Sequence, residues 1–163
     1  MKRIISVLLT LACLIALSAC NSDAEDIKNP VTYYYQTAKI NYNSANGMIA
    51  TEVREASGHI EEYAYLIEQY LNGPRNTDCI SPFPAGITLV EFELATNKAM
   101  LTLSPHITTL SGAELMFACV CLTKTISEMT GVRSVQIATV DGTINGNSTI
   151  TLTPNSFVIW NNQ

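Results

Sequence analysis

Between Leu115 and Leu122 the chain reads Leu-Met-Phe-Ala-Cys-Val-Cys-Leu, eight positions without a charge. Eight residues make more than two turns of an α-helix, so apolar side chains leave the axis in every direction. An ordinary surface helix carries one apolar stripe. A helix that is apolar nearly all round must be sandwiched within its own domain or meet a partner. Both ends are marked. Ser111-Gly-Ala-Glu114 has the capping-box pattern, in which the serine hydroxyl accepts from the third helical amide and the glutamate reaches back to the cap. Gly131, two residues after Met129, suits the left-handed residue that ends many helices. Burial of this helix against a sheet is the expectation.

The strands to cover it are legible on either side. Val31 to Tyr35 is β-branched and aromatic, and Met48 to Val53 follows the turn-rich Asn41 to Gly47, so a hairpin opens the domain. Ile60, Tyr63, Ala64, Ile67, Tyr70 and Leu71 fall on one helical face, after Ser57 or Gly58 and before the stop Asn72-Gly73-Pro74. Asn76 to Gly86, with Pro82 and Pro84, reads as a surface loop. Val90, Phe92 and Leu94 alternate with Glu91 and Glu93, and Ala99, Leu101 and Leu103 with Met100 and Thr102, across a turn at Thr96 to Lys98. That is a second hairpin with one buried and one wet face. Val132 to Thr139 and Thr149 to Thr153, separated by the turn signal Asp141-Gly142, complete the set. The order β-β-α-β-β-α-β-β predicts an α+β fold with two helices packed on a mainly antiparallel sheet.

Ahead of this domain stand Met1-Lys-Arg3, an apolar run from Ile4 to Leu17, and Leu17-Ser-Ala-Cys20. A basic start, a short apolar stretch and small residues before a cut are the parts of a secretory signal, and the run is too short for an ordinary membrane span. Leu-Ser-Ala-Cys resembles the bacterial lipobox. That resemblance implies a diacylglyceryl group on the Cys20 thiol, cleavage before Cys20, and acylation of the new amino terminus with a fatty acid such as palmitate. Two acyl chains suffice for stable anchoring, at ~0.8 kcal/mol for each buried methylene. The expected organisation is a lipoprotein signal peptide over residues 1–19, a lipid anchor and polar tether over 20–30, and a single domain over 31–163. The protein is expected at the cell membrane, held by lipid on the extracytoplasmic face.

Cleavage at that point leaves 144 of the 163 residues and moves the net charge from −5 to −7, since Lys2 and Arg3 leave and no acid does. No cluster of Lys or Arg is present, which argues against nucleic acid as a partner. Cys79, Cys119 and Cys121 remain in the mature chain. Export permits a disulfide from Cys79 to one of the other two. The alternative is that Cys119 and Cys121 are small apolar core residues of the helix.

Signatures of catalysis are missing from the sequence: it contains no Gly-x-Ser-x-Gly, no His-Glu-x-x-His and no phosphate-cradling glycine loop. Glu61 with Glu62, and Glu91 with Glu93, are the carboxylate pairs a glycosidase would need, but acids at such surface positions read as a solvated face. His59 and His106 stand alone, without the ligand spacing of a metal site. No catalytic residue, metal or cofactor is expected.

Leu66-Ile-Glu-Gln-Tyr-Leu-Asn-Gly-Pro74, Ser81-Pro-Phe-Pro-Ala-Gly86, the hairpin to Leu103-Ser-Pro105, Leu110-Ser-Gly-Ala-Glu114 and Val132-Arg-Ser-Val-Gln-Ile-Ala-Thr-Val-Asp-Gly142 together resemble the GerM-type (GerMN) domain of bacterial sporulation and spore-germination lipoproteins. The resemblance runs in order from about Val31 to Thr153. It implies an architecture similar to ring-building modules, no known chemistry, and a scaffold or assembly role among envelope proteins or in self-assembly. The surfaces expected to matter are the loop Ser81 to Gly86 and the exposed side of the helix from Leu115 to Met129. The other reading is a lipoprotein that captures a glycan or small molecule on tyrosines 33, 34, 35 and 42.

Overall fold

The computed structural model describes residues 27–39 and 47–155. Strands β1 (Pro30–Thr37) and β2 (Ile49–Glu55) pair antiparallel from Pro30↔Glu55 to Gln36↔Ile49. Helix α1 (Tyr63–Leu71) comes next, and then β3 (Cys79–Ile80), two residues long, which pairs with the far side of β1. Strands β4 (Leu89–Ala95) and β5 (Lys98–Leu103) form the second hairpin. A 3-10 turn at Pro105–Thr109 leads into helix α2 (Gly112–Thr130), and β6 (Ser134–Thr139) and β7 (Ile150–Leu152) complete the domain.

These strands make two sheets, β2-β1-β3 and β4-β5-β6-β7, where the alternation pattern alone suggested one. The division explains the apolar helix. Helix α2 lies against β1 of the small sheet and against β6 and β7 of the large one, so leucines, cysteines and threonines around most of its circumference are buried. It also forms the crossover between β5 and β6, which run parallel with Leu101 opposite Ile137. On those two strands Ala99, Leu101, Leu103, Val135 and Ile137 face inward and are buried.

Several local expectations shift. Helix α1 begins at Tyr63, because Ser57 and Gly58 both adopt left-handed backbone (φ 50° and 87°) and His59 to Glu62 are spent in turns. Its buried face is therefore Leu66, Ile67, Tyr70 and Leu71, while Ile60 is 47% exposed and Ala64 also faces water. On β4 a bulge between Leu89 and Glu91 turns Val90 outward, and Leu94 at the sheet edge is left uncovered. Glu91 and Glu93 stay on the wet face as expected. The capping box at Ser111 is not formed: Ser111 has extended backbone and makes no side-chain cap bond. Gly112 enters the helix with left-handed backbone, φ 53°, and not with the helical first residue on which a capping box is built. At the other end Gly131 takes the left-handed cap, φ 74°, and its amide donates to the Ser127 carbonyl at 2.8 Å.

Candidate functional site

The tyrosines of β1 are core residues. Tyr33 and Tyr35 are 1% and 0% exposed and stack on Tyr70 of α1 with ring centroids 5.8 and 4.8 Å away. This overturns a sugar-binding row built on β1. Of the four tyrosines proposed for it, Tyr34 is half-buried with its hydroxyl bonded to Glu128, and Tyr42 lies outside the described residues.

Because β3 covers only Gln36 and Thr37, the backbone of Tyr34 has no strand on that side. Side chains from both helices replace it. The Tyr34 amide donates to Thr125 Oγ1 at 3.0 Å, and Tyr70 Oη donates to the Tyr34 carbonyl at 2.7 Å.

A buried ion pair, not anticipated from the sequence, fixes α1 to the same sheet. Glu52 and Arg54 are two apart on β2 and so project to one face. Arg54 Nε donates to Glu52 Oε1 at 2.7 Å, Nη1 to the Gln69 carbonyl at 3.0 Å, and Nη2 to Tyr35 Oη and the Gly73 carbonyl at 3.0 and 2.8 Å. The guanidinium carbon lies 4.7 Å from the centre of the Tyr33 ring. It satisfies carbonyls at the C-terminal end of α1, which has no basic residue in its own last turn. Glu52 in turn accepts from the Arg75 and Asn76 amides. Burial raises the Glu52 pKa, but the hydrogen bonds from Arg54 and those two amides outweigh it and hold the carboxyl below its ordinary range. The period-2 spacing of opposite charges in Glu-Val-Arg was the available signal.

The loop after β3 is pinned onto this core. Ser81 Oγ accepts from the Phe83 amide at 3.2 Å, a local turn bond that the flanking prolines leave available. Phe83 is buried, edge-on to Tyr70 at 5.9 Å. Gly86 (φ 83°) passes over the His106 ring, where a β-carbon would sit 3.4 Å from Nε2. His106 Nδ1 shares a 3.2 Å hydrogen bond with Ser104 Oγ, which also accepts from the Thr88 amide at 3.0 Å. His106 thus has a structural partner. His59 also lies 3.0 Å from Glu62 and against the Tyr65 ring, 4.1 Å between centroids.

Between that loop and the start of α2 lies an open groove of about 390 Å³. Pro82, Phe83 and Pro84 form one wall, Leu110, Ala113 and Phe117 the other, and Gln36 and Met48 close the end. Glu114 is the charged group in its lining. The groove sets the proline loop against the start of α2, but of the surface expected to matter, Leu115 to Met129, Phe117 alone lines it, and most of the helix beyond Phe117 is buried instead of presented. Ser81 and Gln36 add polar groups to a mainly apolar trough with one acid in its lining, which is suited to holding side chains of another molecule.

The remaining candidates are dispersed. Glu61, Glu62, Glu91 and Glu93 are all exposed. Cys79, Cys119 and Cys121 are free and buried, so the disulfide left open by the sequence is not formed. Burial pushes the Cys119 and Cys121 thiols up to about 12. Among the described residues no three His, Cys, Asp or Glu side chains gather as a metal site, and no helix is long and apolar enough to cross a membrane. Cys20 lies outside the described residues.

Two sheets sharing one buried helix, with a proline loop walling an apolar groove, define an α+β domain. The fold recurs in the tandem GerMN domains of the sporulation protein GerM from Bacillus subtilis, with a TM-score of 0.55 at 16% identity over 77% of this chain. This chain covers 45% of that structure's length. Residues 32–145 match the Germane family, described as sporulation and spore germination, and the chain belongs to that family. The first GerMN domain of the same Bacillus protein aligns with 72% of this chain and 85% of its own (13% identity, TM-score 0.45). A Clostridium perfringens structure described as a lipoprotein aligns with 76% of this chain and 86% of its own (16% identity, TM-score 0.48). No curated protein matches the chain significantly.

Proposed function

We propose that this member of the sporulation and spore germination family is an extracytoplasmic lipoprotein, anchored through lipid on Cys20, whose GerM-type domain is a non-catalytic assembly module in an envelope complex. The observation that carries the reading is the family match across residues 32–145, behind a segment with lipobox spacing. The groove beside the Ser81–Gly86 loop supports it as a place where another envelope protein, or a second copy, seats apolar side chains.

The test has two arms in the native host. Metabolic labelling with a palmitate analogue is expected to mark the wild-type protein in the membrane fraction and not Cys20→Ala. Cross-linking during growth and sporulation is expected to recover envelope proteins with the full chain. Unlabelled wild type removes the anchor from the proposal, and recovery of the protein alone removes the assembly role.

A further inference from the structure

Strand β4 closes the large sheet on the side away from β7, and among the described residues no strand pairs with its outer edge. It is seven residues long, against three for β7 at the other margin. Apolar cover is missing along it. Leu94 stands opposite the buried Ala99, on the helix side of the sheet, yet is 44% exposed, and Val90 at the bulge is 54% exposed. On the wet face Glu91 and Glu93 stand opposite Thr102 and Met100. With these two and with Gln136 and Ala138 of β6 they line a shallow hollow of about 210 Å³. Among the described residues neither glutamate makes an ion pair, Lys98 on the same face included. The surrounding charge is one-sided. From Glu55 to Asn97 the chain carries seven acids and one arginine, Arg75, and α1, within that stretch, packs on β4 with Tyr63 edge-on to Phe92 at 6.3 Å.

We propose that the outer edge of β4 takes a strand from another protein, one that carries Lys or Arg at alternate positions with apolar residues between them. An unpaired strand edge offers main-chain donors and acceptors to an added strand, and side chains decide which strand is accepted. Glu91 and Glu93 lie ~6.6 Å apart along β4, twice the rise of a strand residue, and any extended partner repeats at the same interval. Two basic residues of the partner therefore stand opposite both acids at once. Met100 and Ala138 give the hollow an apolar floor, suited to the methylene stem of a long basic side chain whose head meets a glutamate. The partner's intervening residues point to the helix side, where an apolar one covers Leu94. A second copy of this chain is the wrong occupant. Antiparallel registers centred on Glu91, Phe92 or Glu93 all set glutamate opposite glutamate, which is destabilising. This inference is independent of the lipid anchor and of the envelope role.

Selection of a random-peptide phage library on the full chain tests it, with hydrogen exchange to locate what is selected. The expected result is an enriched class of peptides with Lys or Arg two residues apart and an apolar residue between. A synthetic member of that class is expected to slow exchange over residues 89–95 by on the order of threefold or more. Glu91→Gln with Glu93→Gln, two exposed changes that leave the fold intact by circular dichroism, should weaken its binding by on the order of tenfold, as should an isomer with the two basic residues adjacent. Absence of the class overturns the inference, and so does unchanged exchange over 89–95 in the wild-type chain. Equal binding by the double variant or by the isomer also overturns it, since net charge alone would then be what the peptide reads.

Discussion

Arg54 donates to a carboxylate, two main-chain carbonyls and a tyrosine hydroxyl, and lies over the Tyr33 ring. Removing one partner of such a buried pair strands the other. Arg54→Met is therefore expected to cost about 3–5 kcal/mol in urea unfolding. Arg54→Lys should recover little of it, because an ammonium cannot reproduce the planar fork. The partner sets a pH dependence. Because the folded-state pKa of Glu52 is depressed, its contribution is complete above the ordinary carboxylate value of 4.5 and is lost as pH falls through the folded value below it. Unfolding midpoints should fall below about pH 4.5, and Glu52→Gln should flatten that fall. Tyr70→Phe tests a second contact by leaving the Tyr34 carbonyl without its donor. A loss of about 1–3 kcal/mol in the same assay is expected.

Among the elements, those with a strong period or a forced terminus were readable in advance. Strand β5 buries Ala99, Leu101 and Leu103 as its alternation requires, and α2 ends at Gly131. Gly131→Ala places a β-carbon in left-handed backbone and should cost about 1–2 kcal/mol by thermal unfolding. What was not readable depended on contacts distant in sequence. Strand β4 has the same alternation as β5 but lies at an edge behind a bulge, so Val90 and Leu94 find no cover. Strand β3 is two residues inside a proline-rich loop and exists because β1 offers it an edge. The division into two sheets was hidden for the same reason. The groove was half legible: composition marked the proline loop and, on the facing wall, the stretch that holds Phe117, but nothing local says that residue 83 and residue 117 meet across it. The Glu52–Arg54 pair was missed because its value lies in carbonyls of α1 and the turn after it.

At the scale of the whole molecule, the buried thiols and the groove report on different things. Native-state labelling of Cys79, Cys119 and Cys121 should be slow and track global unfolding, since all three are buried and burial holds Cys119 and Cys121 near 12. Ala113→Arg, at an exposed wall of the groove, should leave stability within about 0.5 kcal/mol and abolish recovery of cross-linked envelope partners. Strand β1 links the two ends of the proposed assembly. Its first residue, Pro30, is the last of the expected tether, and Gln36, near its far end, is at the groove. A pull between the membrane and a partner seated there would run along that strand and load its seven paired positions with β2 side by side, so that they must yield together and not one after another. Placed in the middle of its sheet, β1 makes the domain stiff along the line on which such a complex would be tugged.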